Sequence, residues 1–260
     1  IEADQDNIFA YMLRGIVQDH LGDYKNSIKD YLRARELALI EGRKDLLEKC
    51  DDYLKNKNYS VSNSISQVKD NDGNVYKSVT IGTQEWTAEN LNVEYYRNGD
   101  VIPQIKDKEE WSKMRTGAWC YYENNSENEK TYGKLYNWYA VNDPRGLAPK
   151  GWHVPSDAEW THLTDYLGGD VLACGKLKAT TLWESPNTGA TNSSRFTAFP
   201  GGFRLNYGFF DGGGKYGSFW SASDTNNYYA FFRRLGYKNS NVYREYNDKY
   251  CGFSVRCVKD

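Results

Sequence analysis

The feature that most restricts the fold is a change of pattern near Asn56. Before it, apolar residues recur at helical spacing. After it, Gly and Asn turns punctuate short runs rich in Trp and Tyr. A period of 3.6 and a period of 2 cannot share one element, so the chain reads as α+β, with a small helical segment ahead of a larger domain. Ile8, Tyr11, Leu13, Gly15 and Leu21 belong to a first helix that stops at Gly22-Asp23. Tyr24, Ile28, Tyr31, Ala34 and Leu37 recur at three- and four-residue steps and predict a second. Arg43 to Lys55 predicts a third, with Leu46, Leu47, Cys50, Tyr53 and Leu54 on one side. Asn56 to Gln67 is Ser/Asn-rich and reads as a linker. The organisation expected is therefore 1–55 helical, 56–68 linker and 69–260 a single domain.

Within the larger part, Val75 to Ile81 reads as a strand whose apolar residues Val75, Val79 and Ile81 alternate with polar ones, Lys77 being out of phase at one step, and Gly133 to Val141 is expected to be helical. Glu85 to Leu91 and Lys106 to Met114 are short segments of undetermined type. The clearest local signal is Ser156-Asp157-Ala158-Glu159, with Trp160, Leu163 and Leu167 following. Ser with Glu three residues on is a capping box, in which each side chain satisfies a backbone donor of the first turn. The helix should stop at Gly168-Gly169. Beyond Arg195 the chain is Gly-rich and β-like.

The stretch from Ser218 to Val258 has a composition of its own. Between Ser221 and Tyr250 it carries six Tyr (228, 229, 237, 243, 246, 250) and five Asn (226, 227, 239, 241, 247). Tyr supplies rigid amphipathic contact area, and Asn and Ser supply adaptable hydrogen bonds. Phe219-Trp220 on one flank and Gly252 to Val258 on the other read as packed strands. Two readings stay open on composition: a binding surface held between apolar strands, or a Tyr-rich sheet with one solvated face. On the first reading, Asp224, Asn226, Asn227, Tyr228, Tyr229, Phe232, Arg234, Tyr237, Asn239, Asn241, Tyr243, Glu245, Tyr246, Asn247 and Tyr250 form the ligand face and lie mostly on one exposed side.

The 33 basic residues are balanced by 35 acidic ones, which gives no polyelectrolyte basis for binding nucleic acid. No apolar run approaches the roughly 18 residues of a membrane span. No signal peptide is visible in IEADQDNIFAYM. Five Cys (50, 120, 174, 251, 257) are odd in number and lack a C-x-x-C spacing, so they define no disulfide framework and leave the compartment open.

Two resemblances follow from motifs. Tyr11, Gly15, Leu21-Gly22-Asp23-Tyr24, Ser27-Ile28, Tyr31, Ala34 and Leu37 resemble one tetratricopeptide repeat of about 34 residues. Arg14 stands where that family has a large apolar residue, and Ser27 where it has Ala. One repeat does not usually bury its own face, which implies docking on the larger domain, on further repeats or on a protein partner. The second resemblance rests on VTIGTQEWTAENLN, WCYY, YGKLYNWYAV, GLAPKGWHVPSDAEWTHL, GGFR, FWSAS and GFSVRC. In this order they resemble the Fibrobacter-type major paralogous domain, over about Lys69 to Asp260. That resemblance implies a C-type lectin-like fold of the formylglycine-generating-enzyme branch. It also leans towards a secreted or cell-surface protein. The same branch includes the variable proteins of diversity-generating retroelements, in which Asn codons near the C-terminus are scattered into Tyr, Asp and Ser. The mixture from Asp224 to Tyr250 resembles such a variable region, and a Tyr/Asn-rich tail is also ordinary for the family.

Little in the sequence suggests catalysis. His20, His153 and His162 have no ligand spacing, and His153 is expected to be buried and satisfied. No P-loop, G-x-S-x-G or EF-hand pattern occurs, and Gly212-Gly213-Gly214 reads as a flexible turn. The oxidase of the related branch uses a close cysteine pair to bind copper. Cys251 and Cys257 match neither its place nor its spacing, and are expected to be one surface and one buried thiol. The triplets with which C-type lectins hold calcium and sugar are absent. The sequence therefore predicts a non-enzymatic binding protein with no catalytic residue, metal or cofactor, whose ligand is a protein or a glycan; the alternatives are an oxidase of the formylglycine-generating type and a purely structural surface module whose Tyr face packs on the helices. Trp152, Trp160, Leu163, Trp220, Phe253 and Val255 are its expected core.

Overall fold

The computed structural model describes residues 7–57 and 66–260, and the chain divides into two compact units at 64/65. The first holds α1 (Ile8–His20), α2 (Tyr24–Ile40) and α3 (Lys44–Asn56). The side chains of Asn7 and Asp23 cap α1 and α2 by accepting from the amides of Ala10 and Asn26, as short polar side chains do at helix starts. Each helix packs on the next, around Ile8, Tyr31, Ala34, Leu37, Leu46, Cys50 and Leu54. Gly15 permits the tightest approach. A Cβ there would lie 2.8 Å from the Tyr31 ring, and that ring stacks on Tyr53 at 3.6 Å. Arg14 forms a two-pronged ion pair with Asp30 at 2.6 Å. The expected first-helix residues Leu13 and Leu21 point outward.

The second unit opens with β1 (Ser66–Lys69), β2 (Val75–Ile81) and β3 (Gln84–Thr87), then α4 (Lys108–Lys113) and β4 (Trp119–Cys120). Next come α5 (Glu129–Tyr132), β5 (Leu135–Tyr136), α6 (Trp138–Val141), β6 (Trp152–His153), α7 (Asp157–Tyr166) and α8 (Asp170–Leu177). It ends with β7 (Gly201–Arg204), β8 (Phe210–Gly213), β9 (Tyr216–Asp224), β10 (Tyr229–Gly236), β11 (Val242–Asp248) and β12 (Val258–Lys259). One sheet has the order β1-β2-β3-β12-β6, a second β11-β10-β9-β7-β8, and β4 pairs with β5. Helices and sheets share one unit without a regular β-α-β alternation, so the chain is α+β.

The helix at Ser156 forms as its capping box predicts. Ser156 Oγ accepts from the Glu159 amide, and Glu159 Oε2 accepts from the Ser156 amide at 2.8 Å. Four other expectations change. Asn56 ends α3 and β1 begins at Ser66, so both edges of the expected linker are structured; 58–65 lie outside the described residues. Gly133 to Val141 is a short strand and one helical turn, because Asn137 breaks it. Its Oδ1 accepts from the amides of Ala118 and Ala140 at 2.9 and 3.1 Å, and caps the turn that follows. In β2 the inward positions are Tyr76, Ser78 and Ile81, and Val75 faces solvent. The segment from Gly252 is no continuous strand. It makes single bridges to three partners, Gly252 to Arg204, Phe253 to Tyr136 and Ser254 to Phe219, before joining the first sheet as β12.

All six expected core residues are buried. They fall into two clusters: Trp152, Trp220, Phe253 and Val255 in one, Trp160 and Leu163 in the other. The indole Nε1 of Trp160 donates to the Trp220 carbonyl at 3.2 Å across the boundary.

Candidate functional site

The Tyr/Asn-rich stretch folds as β9, β10 and β11 with their two connections. The turn between β9 and β10 is set by Asn226, whose Oδ1 accepts from the amides of Tyr228 and Tyr229 at 2.8 and 3.0 Å. This is the local turn that Asn favours, so its carboxamide oxygen is committed to the backbone. Around it Asp224, Asn227, Tyr228 and Tyr229 are exposed. Asp224 accepts from the buried Lys249 at 2.7 Å, and that ammonium lies 4.1 Å from the Trp138 ring.

The expectation of one common face does not hold. Side chains of directly opposed residues share a face and alternate along the strand. The register pairs Phe232 with Glu245, Arg234 with Tyr243 and Ala230 with Asn247. The alternate set pairs Tyr229 with Asp248, Phe231 with Tyr246 and Arg233 with Arg244. The candidate residues therefore divide between both faces. Phe232 is not a surface residue at all: it is 2 % exposed, its ring 4.5 Å from Phe253 and 6.2 Å from Trp220. The sheet is covered on both sides at this point, which a one-face solvated sheet does not allow for.

On the first face, Arg234 pairs with Glu245 at 2.8 Å and lies 5.3 and 5.7 Å from the Tyr216 and Tyr243 rings. Asn239 donates to the Tyr243 hydroxyl at 3.1 Å. Tyr237 is half-buried against the cluster holding Trp160, and Asn241, just before β11, is also half-buried. At the far end of β11, Asn247 Oδ1 accepts from the Asp248 amide. Tyr250 packs edge-on to Tyr139 at 5.4 Å and accepts from Arg115 through its hydroxyl.

On the second face, Tyr229 and Tyr246 meet edge to face at 5.9 Å, beside the exposed Tyr228. Arg244 covers the Phe231 ring at 4.2 Å. Asp157, in the first turn of α7, receives both arginines of the opposed pair: Arg233 at 2.7 Å and Arg244 at 2.8 Å. Burial would raise the Asp157 pKa, but the two guanidinium groups hold it below its ordinary value. The capping-box pattern hides this second role of Asp157.

Sequence reasoning missed one further exposed pair. Tyr207 and Phe209, in the β7–β8 connection, lie 5.8 Å apart with Lys108 5.0 Å from the Phe209 ring. Asn206 ties this connection to β11 by donating to Asp248 at 3.2 Å. The signal was the same Asn/Tyr vocabulary. Gly208 is required there, since a Cβ would come 2.4 Å from the Lys108 carbonyl oxygen.

The motif arginines are interior fasteners. Arg204 of GGFR donates to the carbonyls of Ile105, Lys106, Asp107 and Gly208. Arg256 of GFSVRC donates to Asn90 Oδ1 and to the carbonyls of Thr87, Phe196 and Thr197. Both are fully buried. Cys251, expected at the surface, is also buried, as are the other four cysteines, and all five are free. Burial pushes the thiols of Cys251 and Cys257 up to about 12. His153, expected inside, is 41 % exposed in its side chain and bridges Glu159 and Asp260 at 2.8 Å each. Burial lowers its pKa, but the two carboxylates outweigh this and raise it above the ordinary value. Among the described residues, no cluster of His, Cys, Asp and Glu is arranged to hold a metal ion, and no helix is long and apolar enough to cross a membrane.

Residues 79–259 match the family model of the Fibrobacter succinogenes major domain. No curated protein and no solved structure matches the chain.

Proposed function

The chain belongs to the Fibrobacter succinogenes major domain family, and we propose that its second unit is a non-enzymatic ligand-binding module on a C-type lectin-like scaffold. The observation that carries this reading is the exposed group at the β9–β10 turn. Tyr228 and Tyr229, with Tyr246 beside them, are 69, 40 and 62 % exposed, while the packing beneath rests on Trp220, Phe232 and Phe253. Large aromatic side chains left in water next to Asn and Asp are the usual material of a binding face. Cys251 and Cys257 are both buried and stand at neither the place nor the spacing of the oxidase's cysteine pair, which favours this reading over an oxidase. The retroelement reading is its finer form: codons for the exposed positions would vary while those for the buried ones stay fixed. A reverse-transcriptase gene beside a near-identical template repeat would establish it. The helical unit, which is similar to a tetratricopeptide repeat, is the proposed site for a protein partner.

The test compares the wild type with Tyr228→Ala/Tyr229→Ala/Tyr246→Ala on a glycan array and a displayed random-peptide library. Binding by the wild type that the triple variant loses at unchanged melting temperature supports the reading. Copper-dependent oxidation of a Cys-containing peptide above the metal-only control would overturn it.

A further inference from the structure

Sheet edges carry unpaired backbone groups, and proteins blunt them by shortness, Pro, bulges or charge. Among the described residues, three of the four outer strands of the two five-stranded sheets follow this rule. β1 and β8 have four residues each and β6 has two. β11 has seven, and its register with β10 is unbroken from Val242 to Asp248. It contains no Pro. Its two central charges do not guard the edge, because each is turned onto its own unit: Arg244 onto Asp157, and Glu245 onto Arg234.

The phase of the ladder shows which groups are open. In an antiparallel pair, hydrogen-bonded and non-bonded residue pairs alternate. The Lys249 amide donates to the Tyr228 carbonyl at 3.0 Å, one step beyond the Tyr229–Asp248 pair. Stepping back by two, Asn247, Glu245 and Tyr243 bond to β10, and Asp248, Tyr246, Arg244 and Val242 turn their N–H and C=O outward. Asp248 is already satisfied: its amide bonds to Asn247 Oδ1 and its carbonyl accepts from the Cys251 amide. Val242 is buried in the cluster that includes α8. Among the described residues, no backbone hydrogen bond reaches the outward groups of Arg244 and Tyr246, and both residues are exposed.

We infer that the ligand of this face is an extended polypeptide segment that adds as a strand to the β11 edge, opposite Arg244 and Tyr246. The inference rests on the binding-module reading and narrows its ligand from protein or glycan to an extended peptide backbone. Two donors and two acceptors, in the two-residue repeat of a strand, match another strand's backbone and nothing else as closely. Tyr246, with Tyr229 beside it, offers the adjacent side-chain contact, so the backbone gives affinity and the aromatic pair gives selectivity, as in other strand additions.

The experiment uses the full chain and peptides selected from a random 12-residue display library, with a glycan array in parallel. Tyr246→Pro removes the outward amide without touching the β10 ladder, because Pro is tolerated where an edge amide faces solvent. Tyr246→Ala removes the side chain and keeps the amide. Expected is a loss of about tenfold or more for Tyr246→Pro against about threefold or less for Tyr246→Ala. Should Tyr246→Pro fail to fold, a scan of N-methylated peptides on the wild type decides. Affinity should fall at every second peptide amide. Equal loss in both Tyr246 variants, or indifference to N-methylation, overturns strand addition and leaves the binding face standing. Glycan binding without any peptide binding has the same meaning. If neither ligand class binds, both readings fail.

Discussion

Residues 224–250 and residues 251–258 are neighbours in the chain and opposites in physics. The first run leaves Tyr228, Tyr229 and Tyr246 in water and satisfies its turn with its own Asn226. The second is buried throughout and passes between the two sheets, giving its amides and carbonyls to a different partner at almost every step. Its amides at Gly252, Phe253 and Ser254 donate to the carbonyls of Arg204, Tyr136 and Ser218, and its carbonyls at Val255 and Cys257 accept from the amides of Leu91 and Thr87. A segment that bridges many partners can change little without breaking several of them. A segment that bonds mostly to itself can change its exposed side chains freely, while its few buried ones, Phe232 and Arg233 among them, stay fixed. The fold thus places a permissive surface directly against its least permissive seam.

The largest test of this contrast lies in the seam. Arg256→Ala would remove the donor to the buried carbonyls of Thr87 and Phe196, to the half-buried carbonyl of Thr197 and to the Asn90 carboxamide oxygen. With each unsatisfied buried acceptor worth about 1–3 kcal/mol, a loss of at least about 3 kcal/mol is expected, read by urea denaturation. A change under about 1 kcal/mol would show that the seam is not what holds the sheets. Phe232→Ala tests the boundary between the two regions, since this residue lies within the Tyr/Asn run but packs on Phe253. It should cost about 3–5 kcal/mol, as Trp160→Ala should in the neighbouring cluster. An unchanged melting temperature in Phe232→Ala would return this residue to the surface set. Ser156→Ala removes one half of the capping box and should cost about 1 kcal/mol, or about 2–4 °C in a domain of this size.

His153 gives a smaller effect with a defined sign. Its folded pKa is raised, so its contribution is complete below about pH 6.5 and is lost as pH rises through the folded value. Glu159 is held below its ordinary value by the Ser156 amide and His153, against the effect of burial, so its contribution is lost as the solution is acidified. The wild-type melting temperature should fall from about pH 6 to 8, and His153→Gln should flatten that slope. A slope identical in both proteins would remove His153 from the account. Smallest of all, Tyr228→Ala and Tyr229→Ala should each change stability by about 0.5 kcal/mol or less. Unfolding or aggregation of either variant would mean that these tyrosines are core, and would erase the contrast.

What the sequence determined is local. The capping box at Ser156, the three helices of the first unit and the change to β structure after Asn56 each depend on a few consecutive residues, and these were legible as spacing. The burial of Trp160, Trp220 and Phe253 was legible too, because large apolar residues at patterned positions have few other places to go. The α+β class and the family motifs follow from the same order of signals. What only the tertiary structure decided is long-range. Phe232 and Tyr229 are three residues apart in one run, yet one is core and the other surface, because they point to opposite faces of the sheet and Trp220 and Phe253 arrive to cover only the face of Phe232. Gly252 to Val258 reads as a strand from its own residues, but its bonds go to partners distant in the chain, which alternation cannot name. The arginines of GGFR and GFSVRC are buried only because segments from elsewhere supply the carbonyls that surround them. In each case the deciding free energy belongs to a contact between segments far apart in the chain, and a pattern of neighbours carries no information about which distant segment arrives.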